Sequence, residues 1–447
     1  MSSESKRVVI TGMGVVSPSG STSEELWGSL LEGRSGVRDI TSLPTESSQT
    51  SKPLPVPFGA PALDFIGKLQ NFGDVPKSLS KTIRKSLKMM CRQCQMGVAV
   101  GQKAILDAGL LPETFDPTRI GASYNSEFMR PEPDDFLTGM TDTALADNGK
   151  LDISDWPIAG MARMNPLWLL KGLPNMPAAH LAIFNDLRGP NNSLTLREAG
   201  VGAALGEAFH IIQDGKADVM IVGASGSRLS PMQYVSAIHT EVIAERGDDP
   251  TAACRPFDAH RTGCVLGEGA GAVTIESLEH ALARGATIHA EVLGGAYTAS
   301  VDTNGVARRQ AALINALKQL FTQTGKSPND VGHVNAHGLS TPSCDAEEAA
   351  AINTAFAERS TPIPVTAAKS CFGNLGAGSG LVELVAGIES LKQNRLFPTR
   401  NFETPDQECP ISVVTEACEP GDIFIKTSVS PQGQAGAVMI AAYRDDS

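Results

Sequence analysis

The stretch that most constrains this chain is Asn191 to Ala208, N-N-S-L-T-L-R-E-A-G-V-G-A-A-L-G-E-A. Ser193 to Leu196 alternates small or β-branched residues with leucine, which predicts a short strand. From Ala199 the residues are small, and Gly200, Gly202 and Gly206 are spaced for close packing of a helix. A tight strand-to-helix turn therefore falls at Arg197-Glu198. Such a turn presents a side chain at a helix N-terminus, where unpaired N–H groups and the dipole favour negative charge. Enzymes use this geometry to hold a nucleophile and to activate a thiol. Here the residue at the turn is Glu198.

Other segments fill in the architecture. Arg7 to Ile10 reads as a buried strand leading into a glycine-rich loop, T-G-M-G-V-V-S-P-S-G, which lacks the spacing of a phosphate loop. Ser23 is placed as N-cap of a helix that ends at Gly33. Leu79 to Leu111 predicts a long helical stretch interrupted near Gly97. Further strands are expected at Arg119 to Ser123, Ala217 to Val222, Val331 to Ala336 and Val365 to Ala368, and three more near the C-terminal end. The run G-A-S-G-S after Val222 reads as a turn. Gln310 to Thr324 is an amphipathic helix, another helix begins at about Ser379, and Ser42 to Pro61 is a Pro- and Ser-rich loop. Short strands alternating with helices imply an α/β protein with layered sheets. The strand-then-loop start at His289 to Gly295 echoes Arg7 to Gly14 and suggests an internal duplication.

Charge and cysteine usage exclude several classes. The formal charge of −12 argues against a nucleic-acid partner. Against that balance stands one basic cluster, Lys77, Lys81, Arg84, Lys85 and Lys88. It reads as a solvated helix face, or as a dock for an acidic partner. Cys91 and Cys94 form a lone C-x-x-C in a helical run, and no second pair exists to complete a zinc site. No apolar run is long enough to span a membrane, and Met1 to Arg7 is polar. A cytoplasmic setting, with neither metal nor membrane, is the expectation.

Several motifs carry a resemblance. Ala253 to Gly271 reads A-C-R-P-F-D-A-H-R-T-G-C-V-L-G-E-G-A-G, Asn335 to Pro342 reads N-A-H-G-L-S-T-P, and Gly206-Glu207-Ala208 follows the central turn. With these the chain resembles the β-ketoacyl-acyl carrier protein synthases of the thiolase superfamily from Arg7 to about Tyr443. The resemblance implies a thiolase-like duplicated α-β-α-β-α layered sandwich. Its halves are expected at 1–275 and 276–447, with a capping insertion at about 124–180. It also implies a dimer, an acyl carrier protein as partner, and a phosphopantetheine arm that arrives on that carrier, so no cofactor of the chain's own. In the family a cysteine takes the acyl group, two nitrogen donors stabilise an enolate, and a gated tunnel admits the arm.

The departures from that pattern fall at the site. Glu198 stands where the family carries its acyl-accepting cysteine. A carboxylate attacking a thioester gives only a high-energy anhydride. Cys264 and Cys371 do not begin a helix after a strand and read as structural. His337 matches the first donor. Asn374, in G-N-L-G-A-G, replaces the second histidine with an amide that donates but cannot be cationic. Lys369 and Glu348 stand where the family places an ion pair. Thr341 remains as a contact for the pantetheine arm, while Leu339 replaces another. Thr427 to Ala435, T-S-V-S-P-Q-G-Q-A, replaces the family's glycine-rich gate, with Val429 at the gating phenylalanine and Pro431 and Gln432 at the hinge. The reading is a condensation-deficient partner of an active ketosynthase, resembling chain-length factors. A homodimer and a heterodimer both fit. The alternatives are a malonyl-carrier-protein decarboxylase, and an acyltransferase or condensing enzyme with altered chemistry.

Overall fold

A computed structural model describes residues 6–40, 57–110, 115–146 and 153–444. The expected loop from Ser42 lies outside these as far as residue 56. Eleven strands form one sheet: β1 (Val8–Val16), β2 (Ile120–Ser126), β3 (Asn191–Leu194), β4 (Val219–Ser227), β5 (Glu268–Ser277), β6 (Ala290–Ala299), β7 (His333–Asn335), β8 (Pro364–Thr366), β9 (Ser412–Val413), β10 (Ile423–Val429) and β11 (Gln434–Ala441). Their order is β9-β8-β7-β10-β11-β6-β1-β5-β4-β2-β3. The run β1-β5-β4-β2-β3 is antiparallel at its first two pairings and parallel at the next two. The run β6-β11-β10-β7-β8 repeats that order and those directions. The duplication is therefore written in the topology. The two half-sheets join where Val8 to Ile10 of β1 pair with Ala290 to Val292 of β6.

The helices among the described residues include α1 (Ser23–Leu31), α2 (Lys77–Ser86), α3 (Arg92–Asp107), α4 (Gly200–Gln213), α5 (Arg309–Thr324), α6 (Pro342–Ala355) and α7 (Ser379–Lys392). α4 and α7 lie between the half-sheets, α3 covers the outside of the first, and α5, backed by α6, covers the second. α7 is buried at every position from Ser379 to Ser390, as a mid-layer helix must be. α4 approaches β6 and β11 through its glycines. A Cβ on Gly202 would stand 2.3 Å from the Ala296 carbonyl oxygen. Among the described residues no helix is long and apolar enough to cross a membrane.

Close packing also explains where the elements depart from expectation. β1 does not stop at Ile10 but runs through the glycines to Val16. Gly12 and Gly14 face α3, where a Cβ would fall 2.2 Å from the Ala104 oxygen and 2.1 Å from the Val100 oxygen. They belong to a strand pressed against a helix, not to a loop. The run G-A-S-G-S likewise continues β4. The long helical stretch breaks between α2 and α3, after the single turn Leu87–Met89, and not at Gly97, which lies inside α3. Thr22, not Ser23, caps α1, its side chain accepting from the Glu25 N–H.

Candidate functional site

Glu198 lies on a single 3-10 turn, Arg197–Ala199, between β3 and α4. The turn places Arg197 in the left-handed region at φ 52°, which disfavours a side-chain-bearing residue by roughly 1–2 kcal/mol. Contacts from β2 hold it there. Asn125 donates from Nδ2 to the Arg197 carbonyl at 2.6 Å and accepts the Leu196 N–H on Oδ1 at 3.2 Å. A Cβ on Gly200 would stand 2.1 Å from that Oδ1, so only glycine fits where α4 begins.

The Glu198 side chain is 1% exposed. Its Oε1 accepts from Arg228 Nη2 at 2.6 Å and from Asn374 Nδ2 at 3.1 Å. Its Oε2 stands 3.4 Å from Arg197 Nε. Arg228, also buried, reaches Glu127 Oε1 and Glu241 Oε1 at 3.3 Å each. Arg197 pairs with Glu241 in turn. Two guanidiniums thus face three carboxylates in a closed cluster. Burial by itself would raise the Glu198 carboxyl, but Arg228 and then Arg197 outweigh it and hold it down to about 2. Burial, and then the charge of Glu198, raise the Glu241 carboxyl above the usual carboxylate range, against the pull of Arg228 and Arg197.

Asn374 serves this cluster. Its Oδ1 accepts from the Gly376 N–H at 3.0 Å and the Ser379 hydroxyl at 3.3 Å, which directs Nδ2 to Glu198. His337 follows β7 and is fully enclosed. Lys369 Nζ stands 3.1 Å from its Nδ1. An ammonium has no lone pair to offer, so Nδ1 accepts and the ring proton sits on Nε2. Burial, then the charges of Lys369 and Lys426, hold the ring well below the usual histidine range, so it is neutral.

The expected pairing of Lys369 with Glu348 is corrected here. Lys369 pairs with Glu383 of α7 at 2.5 Å, and Lys426 of β10 reaches the other oxygen of Glu383 at 2.7 Å. Glu348 instead accepts the N–H groups of His337 and Gly338 at 2.8 Å each and the Thr427 hydroxyl at 2.7 Å. It braces the loop that carries His337. Thr341 is buried at the start of α6, where its carbonyl accepts the Asp345 N–H at 3.1 Å. Burial pushes the Cys371 thiol up to about 11 and raises that of Cys264, so neither is poised as a thiolate. Among the described residues no group of three or more His, Cys, Asp or Glu could hold a metal ion.

The segment expected as a gate is a tight hairpin. Val429 of β10 pairs with Ala435 of β11 and is buried. Ser430 and Gln434 close the loop, and Gly433 at φ 80° takes the left-handed position such a turn demands.

Comparison with known proteins places this geometry. The model of the β-ketoacyl synthase N-terminal domain matches residues 5–281, and that of the C-terminal domain matches residues 289–403. The chain belongs to the β-ketoacyl synthase family. It is 34% identical over 419 residues to a 3-oxoacyl-[acyl-carrier-protein] synthase 2 of Synechocystis sp., covering 92% of this chain and 91% of that protein. A β-ketoacyl synthase from Burkholderia phymatum superposes with a TM-score of 0.79 at 28% identity, over 98% of this chain and all of the other. The ishigamide ketosynthase/chain length factor gives 0.79 at 25% identity with the same coverage. Against this β-ketoacyl synthase background, residue types at motif positions pointed to Glu198, His337 and Asn374. They did not point to Arg228, Glu127, Glu241, Glu383 or Lys426. The one available signal was charge next to small-residue runs, as at Arg228 after G-A-S-G-S.

Proposed function

We propose that this β-ketoacyl synthase-like chain of fatty-acid or polyketide biosynthesis is a condensation-deficient subunit, resembling a chain-length factor, that pairs with an active ketosynthase. The observation that carries this reading is the state of Glu198: ionised, buried, and held by Arg228 and Asn374. A carboxylate so bound is a poor acyl carrier, because its attack on a thioester would give only a high-energy anhydride. The hairpin Ser430 to Gln434 adds to this, because Pro431 and Gln432 stand where the family's gate has its glycine hinge. The decarboxylase reading is weaker. The fixed negative charge of Glu198 repels a malonyl carboxylate, and the Asn374 amide is already committed. His337, neutral with Nε2 protonated, is the one expected donor left with a proton to offer.

The proposed carrier dock is α2 and the turn after it. Lys77, Lys81, Arg84, Lys85 and Lys88 are all exposed, while Ile83 and Ser86 face the core. That face suits an acidic acyl carrier protein. Co-expression with a ketosynthase of the same organism is the test. A stable heterodimer that condenses malonyl-carrier protein, with the isolated chain inactive, is the expected outcome. Condensation by the isolated chain, or homodimers alone in the presence of every such ketosynthase, would sink the proposal.

A further inference from the structure

A cavity of about 390 Å³ lies beside the site, walled largely by Pro61, Leu63, Phe65, Ile66, Met129 and Leu229. It shares a partition with the ionic cluster. Ser227 and Leu229 line the cavity, and Arg228 between them turns inward to Glu198. Gln93 also lines it, and its amide donates to the carbonyls of Ser225 at 3.0 Å and Glu127 at 3.4 Å on that partition. Glu268, on the cavity side, takes the Ser227 hydroxyl at 3.0 Å and pairs with Arg92. On the inner face the packing is close. A Cβ on Gly376 would stand 2.3 Å from Glu127 Oε2 and 3.0 Å from Arg228 Nε.

We infer that Arg228 is the specificity-determining plug of this subunit: its guanidinium, clamped by Glu198 and Glu127, severs the position of Glu198 from the apolar cavity. An alkyl chain entering the cavity from outside then stops at Arg228, and none attached at position 198 can extend into it. The inference deepens the partner-subunit reading and rests on it for its biological meaning. Its test uses the purified chain alone, so the two can fail separately.

The experiment titrates n-alkyl carboxylates, hexanoate to tetradecanoate, into the wild type and into the double variant Glu198→Ala/Arg228→Ala, which removes one charge of each sign. In the wild type, affinity rises with chain length and then stops rising. In the double variant the rise continues for at least two more carbons, tightening binding by about tenfold. The variant Glu198→Gln/Arg228→Met keeps the bulk without the charge and should stop where the wild type stops. If the alanine pair fails to fold, Arg228→Lys carries the test with a smaller extension. A stopping length unchanged in the alanine pair, or in the lysine variant standing in for it, overturns the inference. So does one lengthened by the bulk-preserving pair, and so does no binding to the wild type.

Discussion

A buried carboxylate at position 198 is sustainable only because two guanidiniums accompany it. Removing Arg228 alone, as Arg228→Ala, leaves buried carboxylates without their counter-charge. The loss expected in chemical denaturation is about 3–5 kcal/mol. Replacing Glu198 with cysteine places a thiol beside Arg197 and Arg228, which favour the thiolate. Glu198→Cys is therefore expected to react with iodoacetamide at that position, as read by peptide mass spectrometry. Condensation nonetheless stays roughly 10⁴-fold or more below a competent synthase, because the hairpin and the plug remain. Robust ketoacyl product from this single variant would show that the nucleophile alone was missing. Stability should also carry a signature of Glu198 ionisation. Its folded carboxyl lies near 2 against an ordinary 4.5. Its contribution is complete above pH 4.5 and fades as pH falls towards 2. The stability gap between wild type and Glu198→Gln, followed by urea denaturation from pH 6 to pH 3, should shrink across that window. Glu198, His337 and Asn374 were legible because they stand in motifs. Arg228 and Glu241 were not, because an ion cluster assembled from separate elements leaves no local pattern.

Among elements, those with strong periodicity were legible, and those shaped by close contact were not. α5 was read nearly as it is, since apolar spacing and Gly325 at its end define it, and α7 was read at its start. β1 was cut short because Gly12 and Gly14 imitate a loop, whereas their role is to let α3 lie against the strand. The same contact logic gives α4 its prediction. Alanine normally stabilises a helix interior relative to glycine by about 1 kcal/mol. Gly202→Ala should reverse that sign, because its Cβ would meet the Ala296 oxygen at 2.3 Å and the Gly436 Cα at 2.7 Å. A loss of about 1–3 kcal/mol is expected in denaturant titration. A gain would mean that the helix can withdraw from β6 and β11 without penalty.

For the whole molecule, the layered class was legible from alternating elements, and the duplication from one faint echo that the strand order now makes plain. The overall charge of −12 runs against what α2 presents locally, which the run of basic residues from Lys77 to Lys88 already marked in the sequence. The triple variant Lys81→Glu/Lys85→Glu/Lys88→Glu should weaken binding of an acidic carrier protein at least tenfold in titration calorimetry while leaving the circular dichroism unchanged. It should also flatten the salt dependence. Last, the pairing of Val8 with both Ser277 and Val292 has a consequence for how the protein is born. β1 is central in the finished sheet, yet its neighbours are encoded some 270 residues later. At about 5–20 residues per second, the apolar segment Val8 to Val16 waits on the order of 10–50 s for a mate. The nascent chain depends in that interval on whatever in the cell shelters a bare strand.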